Sequence, residues 1–129
     1  MSRLLLDTHA LLWFVENDRN LSAPARALIE DASSDVFVSV ATAWEIAIKV
    51  GIGRLSLDAS STEAFFDEQM RANAFTFLPI APAHVFAAGV LPLRHRDPFD
   101  RLLIAQAISE EMIFITREDF QNYGVHTAW

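Results

Sequence analysis

The chain has 129 residues, which is enough to bury one hydrophobic core and too few for two ordinary domains. It has no cysteine and no apolar run near the roughly 18 to 20 residues of a membrane span, and Asp7 and His9 interrupt the stretch where a signal peptide would stay apolar. We therefore expect one cytoplasmic domain over residues 1–129, whose formal net charge of −7 excludes a generally basic nucleic-acid-binding surface and leaves only a local group of arginines for that role.

Short apolar runs alternate with helical patterns along the chain. In chain order, we predict strand 3–6, helix 10–15, helix 24–31, strand 36–40, helix 41–50, helix 62–73, strand 75–80, helix 83–89, helix 98–110, strand 112–116 and a short strand 125–127. Strands that alternate with helices are typical of a parallel sheet covered by helices. The sequence therefore predicts an α/β fold with a mainly parallel central sheet of four to five strands.

Acidic residues follow two of the predicted strands. Asp7 comes directly after the run 4–6, and Glu118 and Asp119 follow the run 113–116. The carboxyl ends of parallel strands lie at one edge of a sheet, where α/β proteins place their ligands. The alternative for Asp7 is that it caps the helix that follows.

Two further acids lie in strongly apolar helical segments. Glu45 can pair with Lys49 one turn later, which contributes only about 0.2 to 0.5 kcal/mol and does not by itself explain a carboxylate in a buried helix. Asp100 lies in the first turn of its helix, where the alternative role is to interact with the helix dipole, at about 0.3 to 1 kcal/mol. Asp97, three residues earlier, is the expected cap of that helix.

These acids together indicate a metal site. Carboxylates that repel one another are gathered where a cation compensates them, and at least one of them should have a raised pKa. Ligands that are all oxygen suit Mg²⁺ or Mn²⁺, which also bind phosphate oxygens and activate water for phosphoryl chemistry. The four histidines have no ligand spacing, so we expect no histidine metal site.

Four segments, in order, resemble the signature blocks of PIN domains of the VapC toxin family: LLLDTHALLW, WEIAIK, HRDPFDRLLIAQA and ITREDFQNYGV. The resemblance implies a PIN-like α/β/α sandwich and cleavage of RNA that depends on Mg²⁺ or Mn²⁺. It also implies a homodimer and inhibition by a cognate antitoxin, and it implies that the protein contacts DNA only through that antitoxin. The first three acids of the family correspond to Asp7, Glu45 and Asp100. The fourth corresponds to Glu118, with Asp119 as the alternative because the spacing to the aromatic residues that follow is one residue short.

Other polar residues lie beside these acids in the sequence. Thr8 and Thr116 match polar positions of the family and can hold a metal-bound water or orient a carboxylate; simple capping and turn bonding is the alternative. Arginines near Asp97 and Asp100 can hold RNA phosphates, or they can form a solvated loop face. These arginines are Arg94, Arg96 and Arg101.

Composition and motif content also bear on partners and on other functions. The chain is 52% apolar with a mean hydropathy of +0.22, and we expect the surplus apolar surface to contact a second copy and an antitoxin segment. A response-regulator receiver has a similar length and an acidic Mg²⁺ pocket. It needs a lysine near the end of its last strand, whereas the one lysine here, Lys49, lies mid-chain. A catalytically inactive PIN-like binding module is the second alternative.

Overall fold

A computed structural model describes residues 2–94 and 97–129 of the chain. Its five strands form one sheet in the order β3-β2-β1-β4-β5, and all neighbours are parallel. The strands are β1 (Arg3–Leu6), β2 (Asp35–Ser39), β3 (Thr76–Leu78), β4 (Ile113–Ile115) and β5 (Thr127–Ala128). The predicted α/β class and parallel sheet are confirmed.

In the described parts of the chain, six α-helices and one 3₁₀ turn connect the strands. They are α1 (Thr8–Val15), α2 (Ala23–Glu30), α3 (Val40–Gly51), α4 (Thr62–Ala72), α5 (Pro82–Val90), α6 (Pro98–Ser109) and the 3₁₀ turn Gln121–Tyr123. Each predicted helix is present, with ends that differ by one or two residues. The first helix begins two residues earlier than predicted because Asp7 caps it. Among the described residues no helix is long and apolar enough to cross a membrane.

Helices cover both faces of the sheet. Side chains alternate along β1, so that Leu4 and Leu6 enter one core cluster and Leu5 enters the other. The first cluster includes Leu11 of α1 and Phe65 and Phe66 of α4, and the second includes three residues of α6 and Phe114 of β4. A parallel sheet buried on both faces is the α/β/α sandwich that the family resemblance implies.

The strand order reverses beside β1. From β1 the chain proceeds to β2 and β3 on one side, and it returns later to place β4 on the other side. Leu6 pairs in register with Val38 and with Ile115, so these strands end at the same edge. In open α/β sheets this switch point forms a crevice where ligands bind, and Asp7 and Thr116 are the residues that follow the two strands there.

Candidate active site at the carboxyl edge of the sheet

Asp7 is buried at the end of β1. Its Oδ1 accepts a hydrogen bond from the Ala10 N–H at 2.7 Å, so it caps α1, and its own N–H donates to the Ile115 carbonyl at 3.1 Å. Burial raises the pKa of Asp7, although hydrogen bonds from Thr116 and Ala10 and the nearby His9 act in the opposite direction. The charge of Glu118 raises that pKa further, but less than burial does. The expectation that one acid has a raised pKa is confirmed for Asp7, but the main cause is desolvation and not the repulsion between carboxylates from which it was expected.

Thr116 connects Asp7 to the segment that carries Glu118. Its side chain is buried at the end of β4 and hydrogen-bonds to Asp7. Its Oγ1 also accepts from the Glu118 N–H at 3.1 Å. One hydroxyl can donate and accept at the same time, so Thr116 orients the Asp7 carboxylate and the turn after β4 together.

Glu45 is buried on α3 and has partners for both carboxylate oxygens. Thr8 Oγ1 donates to Oε1 at 2.7 Å, and Lys49 Nζ donates to Oε2 at 2.8 Å. The i,i+4 pair considered from sequence is therefore present, and a second contact joins α3 to the start of α1. Because Thr8 follows Asp7 directly, this hydrogen bond links the surroundings of the two acids.

The first turn of α6 borders the groove beside Glu45. Asp97 caps the helix, as expected, because its Oδ1 accepts from the N–H groups of Phe99 at 2.9 Å and Asp100 at 3.4 Å. Asp100 is half-buried in the first turn. The Phe99 ring lies edge-on to Trp44 of α3 with centroids 5.4 Å apart, so the start of α6 packs against the helix that carries Glu45.

Glu118 and Asp119 are both exposed, but their surroundings differ. Asp119 Oδ1 accepts from the Gln121 N–H at 3.4 Å and so stabilises the 3₁₀ turn. Glu118 lies close enough to Asp7 for its charge to act on that carboxyl. Of these two acids, the geometry favours Glu118 as the one beside Asp7.

The structure corrects the expectation for Arg101. Its side chain is only 9% exposed, and its guanidinium donates to the carbonyls of Ala88, Leu91 and Pro92 at 2.8 to 2.9 Å. It therefore holds the end of α5 and the loop that follows, and it does not belong to a solvated loop face. Arg94 is exposed and donates to the Asn122 carbonyl at 3.3 Å, and Arg96 lies outside the described residues.

The acids of the described residues do not form a cage. Among residues 2–94 and 97–129, no three acidic or histidine side chains lie close enough together to hold a metal ion. The donor atoms of the four predicted acids are all oxygens, however, and Mg²⁺ is commonly bound through one or two carboxylates, with waters and substrate phosphates as its other ligands. The side chains around Asp7 therefore fit a hard divalent cation.

A family model described as PIN domain matches residues 4–124 of the chain. The chain belongs to the PIN-domain family. Nuclease and hydrolase activity follow from this membership, and PIN domains in general depend on divalent metal ions. The resemblance to PIN domains found in the sequence is thereby confirmed, and the receiver alternative is wrong.

Solved structures share the fold of this PIN domain at low sequence identity. A chain of VapBC2 from Rickettsia felis, bound to a DNA fragment from their promoter, is 14% identical with a TM-score of 0.73, and 98% of each chain is covered. A chain of FitAB bound to an IR36 DNA fragment is 18% identical with a TM-score of 0.63, covering 97% of this chain and 93% of that one. A chain of a toxin-antitoxin complex from Klebsiella pneumoniae is 14% identical with a TM-score of 0.57, covering 98% and 96%. No curated protein matches the sequence significantly.

Sequence reasoning missed an aromatic and cationic cluster beside the acids of this PIN domain. His9 stacks on Trp13 with centroids 5.2 Å apart, and the Arg117 guanidinium lies 4.6 Å from the Trp13 ring centroid. The signals that point to the cluster are the i,i+4 spacing of His9 and Trp13 after Asp7, and the position of Arg117 directly after Thr116.

Proposed function

We propose that this PIN domain is a divalent-metal-dependent endoribonuclease that acts in the cytoplasm as the toxin of a toxin–antitoxin pair. The observation that carries the proposal is the linkage of carboxylates at the switch point of the sheet. Asp7 is hydrogen-bonded by Thr116, and the next residue, Thr8, hydrogen-bonds to the buried Glu45. Membership of the PIN-domain family supports the nuclease assignment.

Burial of the Asp7 carboxylate is the physical argument for a cation. A buried carboxylate costs several kcal/mol unless it is paired or binds a metal. Within the described residues, none of the salt bridges involves Asp7, and its hydrogen-bond donors are a backbone N–H and a threonine hydroxyl. A divalent cation would compensate Asp7 and the neighbouring Glu118 together.

We propose Asp7, Glu45, Asp100 and Glu118 as the residues that hold Mg²⁺ or Mn²⁺. When bound, such a cation activates water for attack on a phosphodiester and stabilises the charge that develops on the phosphate. Thr116 and Thr8 orient the carboxylates of Asp7 and Glu45 for this purpose. The Lys49 ammonium holds the second oxygen of Glu45 and so limits the rotation of its carboxylate.

Exposed apolar side chains support the proposal of protein partners. Four of them lie four residues apart along α3 and its C-cap: Val40, Trp44, Ile48 and Ile52. Others lie on and after α5, where Phe86, Val90 and Leu93 are 73% to 85% exposed. We propose that a second copy of the chain and a cognate antitoxin cover such surfaces, and that the protein contacts DNA only through the antitoxin. We further propose that residues 1–129 act as one domain. The structural neighbours come from toxin–antitoxin complexes, which supports the antitoxin proposal.

Incubation of the purified protein with single-stranded RNA in Mg²⁺, in Mn²⁺ and in EDTA tests the nuclease proposal. We expect cleavage with either metal, none in EDTA, and products with a 5′-phosphate and a 3′-hydroxyl because water is the nucleophile. Asp100→Asn serves as the inactive control. Cyclic 2′,3′-phosphate ends or full activity in EDTA would contradict the mechanism, and RNA binding without cleavage would identify an inactive PIN-like module.

A further inference from the structure

The positive charges near the acids have very different surroundings. Lys49 is paired with Glu45 at 2.8 Å, and the guanidinium of Arg101 is buried against backbone carbonyls. Arg117, in contrast, is exposed, and its contacts are with the Trp13 ring and with Asn20 Oδ1 at 3.5 Å from Nη1. Both of these partners are neutral, and the salt bridges of the described residues do not include Arg117. Its charge is therefore held in place without being neutralised.

Arg117 lies between two residues that act on Asp7. Thr116, before it, hydrogen-bonds to Asp7, and Glu118, after it, acts on Asp7 through its charge. Trp13, whose ring lies under the Arg117 guanidinium, belongs to the helix that Asp7 caps. The Trp13 ring also stacks against His9, whose charge acts on Asp7. The cluster of His9, Trp13 and Arg117 is therefore adjacent to the proposed cleavage site.

The direction of Arg117 distinguishes it from a ligand of the scissile phosphate. The charged groups that act on the Asp7 carboxyl are His9 and Glu118. The guanidinium instead lies over Trp13, toward Asn20 in the loop after α1. A phosphate that it binds would belong to a nucleotide beside the cleaved bond.

We propose that Arg117, positioned by Trp13, binds a phosphate of the RNA chain next to the scissile phosphodiester; this inference rests on the proposed ribonuclease function. A planar guanidinium stacked on an aromatic ring keeps its N–H groups in one plane at its edge, where they can donate to two oxygens of a phosphate. In a chain of net charge −7, such a fixed local cation attracts the substrate where the overall field does not. Arg117 is a binding residue in this scheme, and Trp13 is its positioning residue.

The matched control is Arg71→Ala, which removes the same charge elsewhere. Arg71 is exposed in the last turn of α4, which leads into the amino end of β3, and so lies at the opposite edge of the sheet from Asp7. Arg117→Ala and Arg71→Ala change the net charge equally. A difference between them therefore reports position and not overall charge.

The first measurement is steady-state cleavage of a short single-stranded RNA of mixed sequence in Mn²⁺. We expect Arg117→Ala to raise KM about tenfold, the effect of losing one charge-assisted hydrogen bond, with kcat little changed. Arg117→Lys should lie between it and wild type, because it keeps the charge and loses the planar fork. Trp13→Leu should also raise KM, with melting curves checking that the variant is folded. Equal KM values for Arg117→Ala, Arg71→Ala and wild type would overturn the inference while leaving the ribonuclease proposal intact.

The second measurement is binding of the same RNA, labelled with fluorescein, by fluorescence anisotropy in Ca²⁺ over a range of salt concentrations. A plot of the logarithm of the association constant against the logarithm of the salt concentration has a negative slope. In Arg117→Ala this slope should be smaller in magnitude by about 0.7, the contribution of one phosphate contact on a single strand. In Arg71→Ala it should stay at the wild-type value. This measurement does not depend on cleavage, so loss of the Arg117 phosphate contact can be told apart from failure of the ribonuclease proposal. Unchanged affinity and slope in Arg117→Ala, or no RNA binding by wild type, would overturn the inference.

Discussion

The hydroxyl of Thr8 donates to Oε1 of Glu45 at 2.7 Å, and both residues are buried. This contact joins the helix that Asp7 caps to the helix that carries the next acid of the proposed site. If the Thr8 hydroxyl is removed, Lys49 is the one donor to Glu45 that remains among the hydrogen bonds of the described residues. The geometry of the acids therefore depends on a residue that need not contact the substrate.

Thr8→Val should impair both stability and cleavage. The change keeps the shape of the side chain and leaves a buried carboxylate oxygen without its donor, which costs about 1 to 3 kcal/mol. Thr8→Ser, which keeps the hydroxyl, should stay near wild type in both respects. Urea unfolding and RNA cleavage by the three proteins measure this, and a Thr8→Val protein as stable and as active as wild type would show that the hydrogen bond has no such role.

The raised pKa of Asp7 predicts how the metal-free protein responds to pH. Because the folded state holds this proton more tightly than the unfolded state, the free energy of unfolding should fall as pH rises from the ordinary carboxyl value of 3.8 through the raised pKa. Below 3.8 the carboxyl is protonated in both states, so it contributes no penalty. Asp7→Asn keeps an oxygen that can cap α1 and removes the titration.

Urea unfolding of both proteins in EDTA at a series of pH values tests this response. The stability of Asp7→Asn relative to wild type should increase as pH rises, and cleavage by the variant should be lost. A difference that does not change with pH would show that Asp7 ionises in the folded protein as it does in the unfolded chain.

Divalent metal should stabilise the protein through the proposed ligands. Mn²⁺ that binds the folded site and not the unfolded chain raises the melting temperature with concentration. Asp7→Asn and Asp100→Asn should respond less, and Asp31→Asn, an exposed acid in the loop after α2, should respond like wild type. Thermal melting across a Mn²⁺ titration measures all four proteins. Equal shifts in every protein would mean that the two acids serve as helix caps and dipole partners only.

Arg101→Met should destabilise the fold without a specific effect on RNA binding. The substitution keeps the aliphatic stem and removes the donors to three carbonyls at the end of α5, so we expect a loss of about 2 to 4 kcal/mol. The KM of the folded fraction for RNA should remain near that of wild type. Urea unfolding measures the loss of stability, and steady-state kinetics measures the KM. A variant as stable as wild type with a raised KM would show that Arg101 binds RNA.

Local patterns were enough to predict the elements and the main acids. The run at residues 3–6 is apolar at each position but the first, as a strand covered on both faces must be, and the polar Asp7 directly after it marks the carboxyl edge. Glu45 stood out because its helix is otherwise so apolar. Each of these signals lies within a single helix or strand. There the backbone geometry alone decides which side chains share a face, so the sequence pattern indicates which of them are buried.

Contacts between elements were decided only by the tertiary structure. The same sequence position for Arg101 is compatible with a solvated arginine or a buried one, and the packing of α5 against α6 determines that it is buried. Glu118 and Asp119 are neighbours in sequence, and only the turn after β4 brings the charge of one of them to bear on Asp7. The position of Arg117 over Trp13 joins residues 104 positions apart, which no local pattern can specify because the contact depends on how α1 and β4 meet beside the sheet.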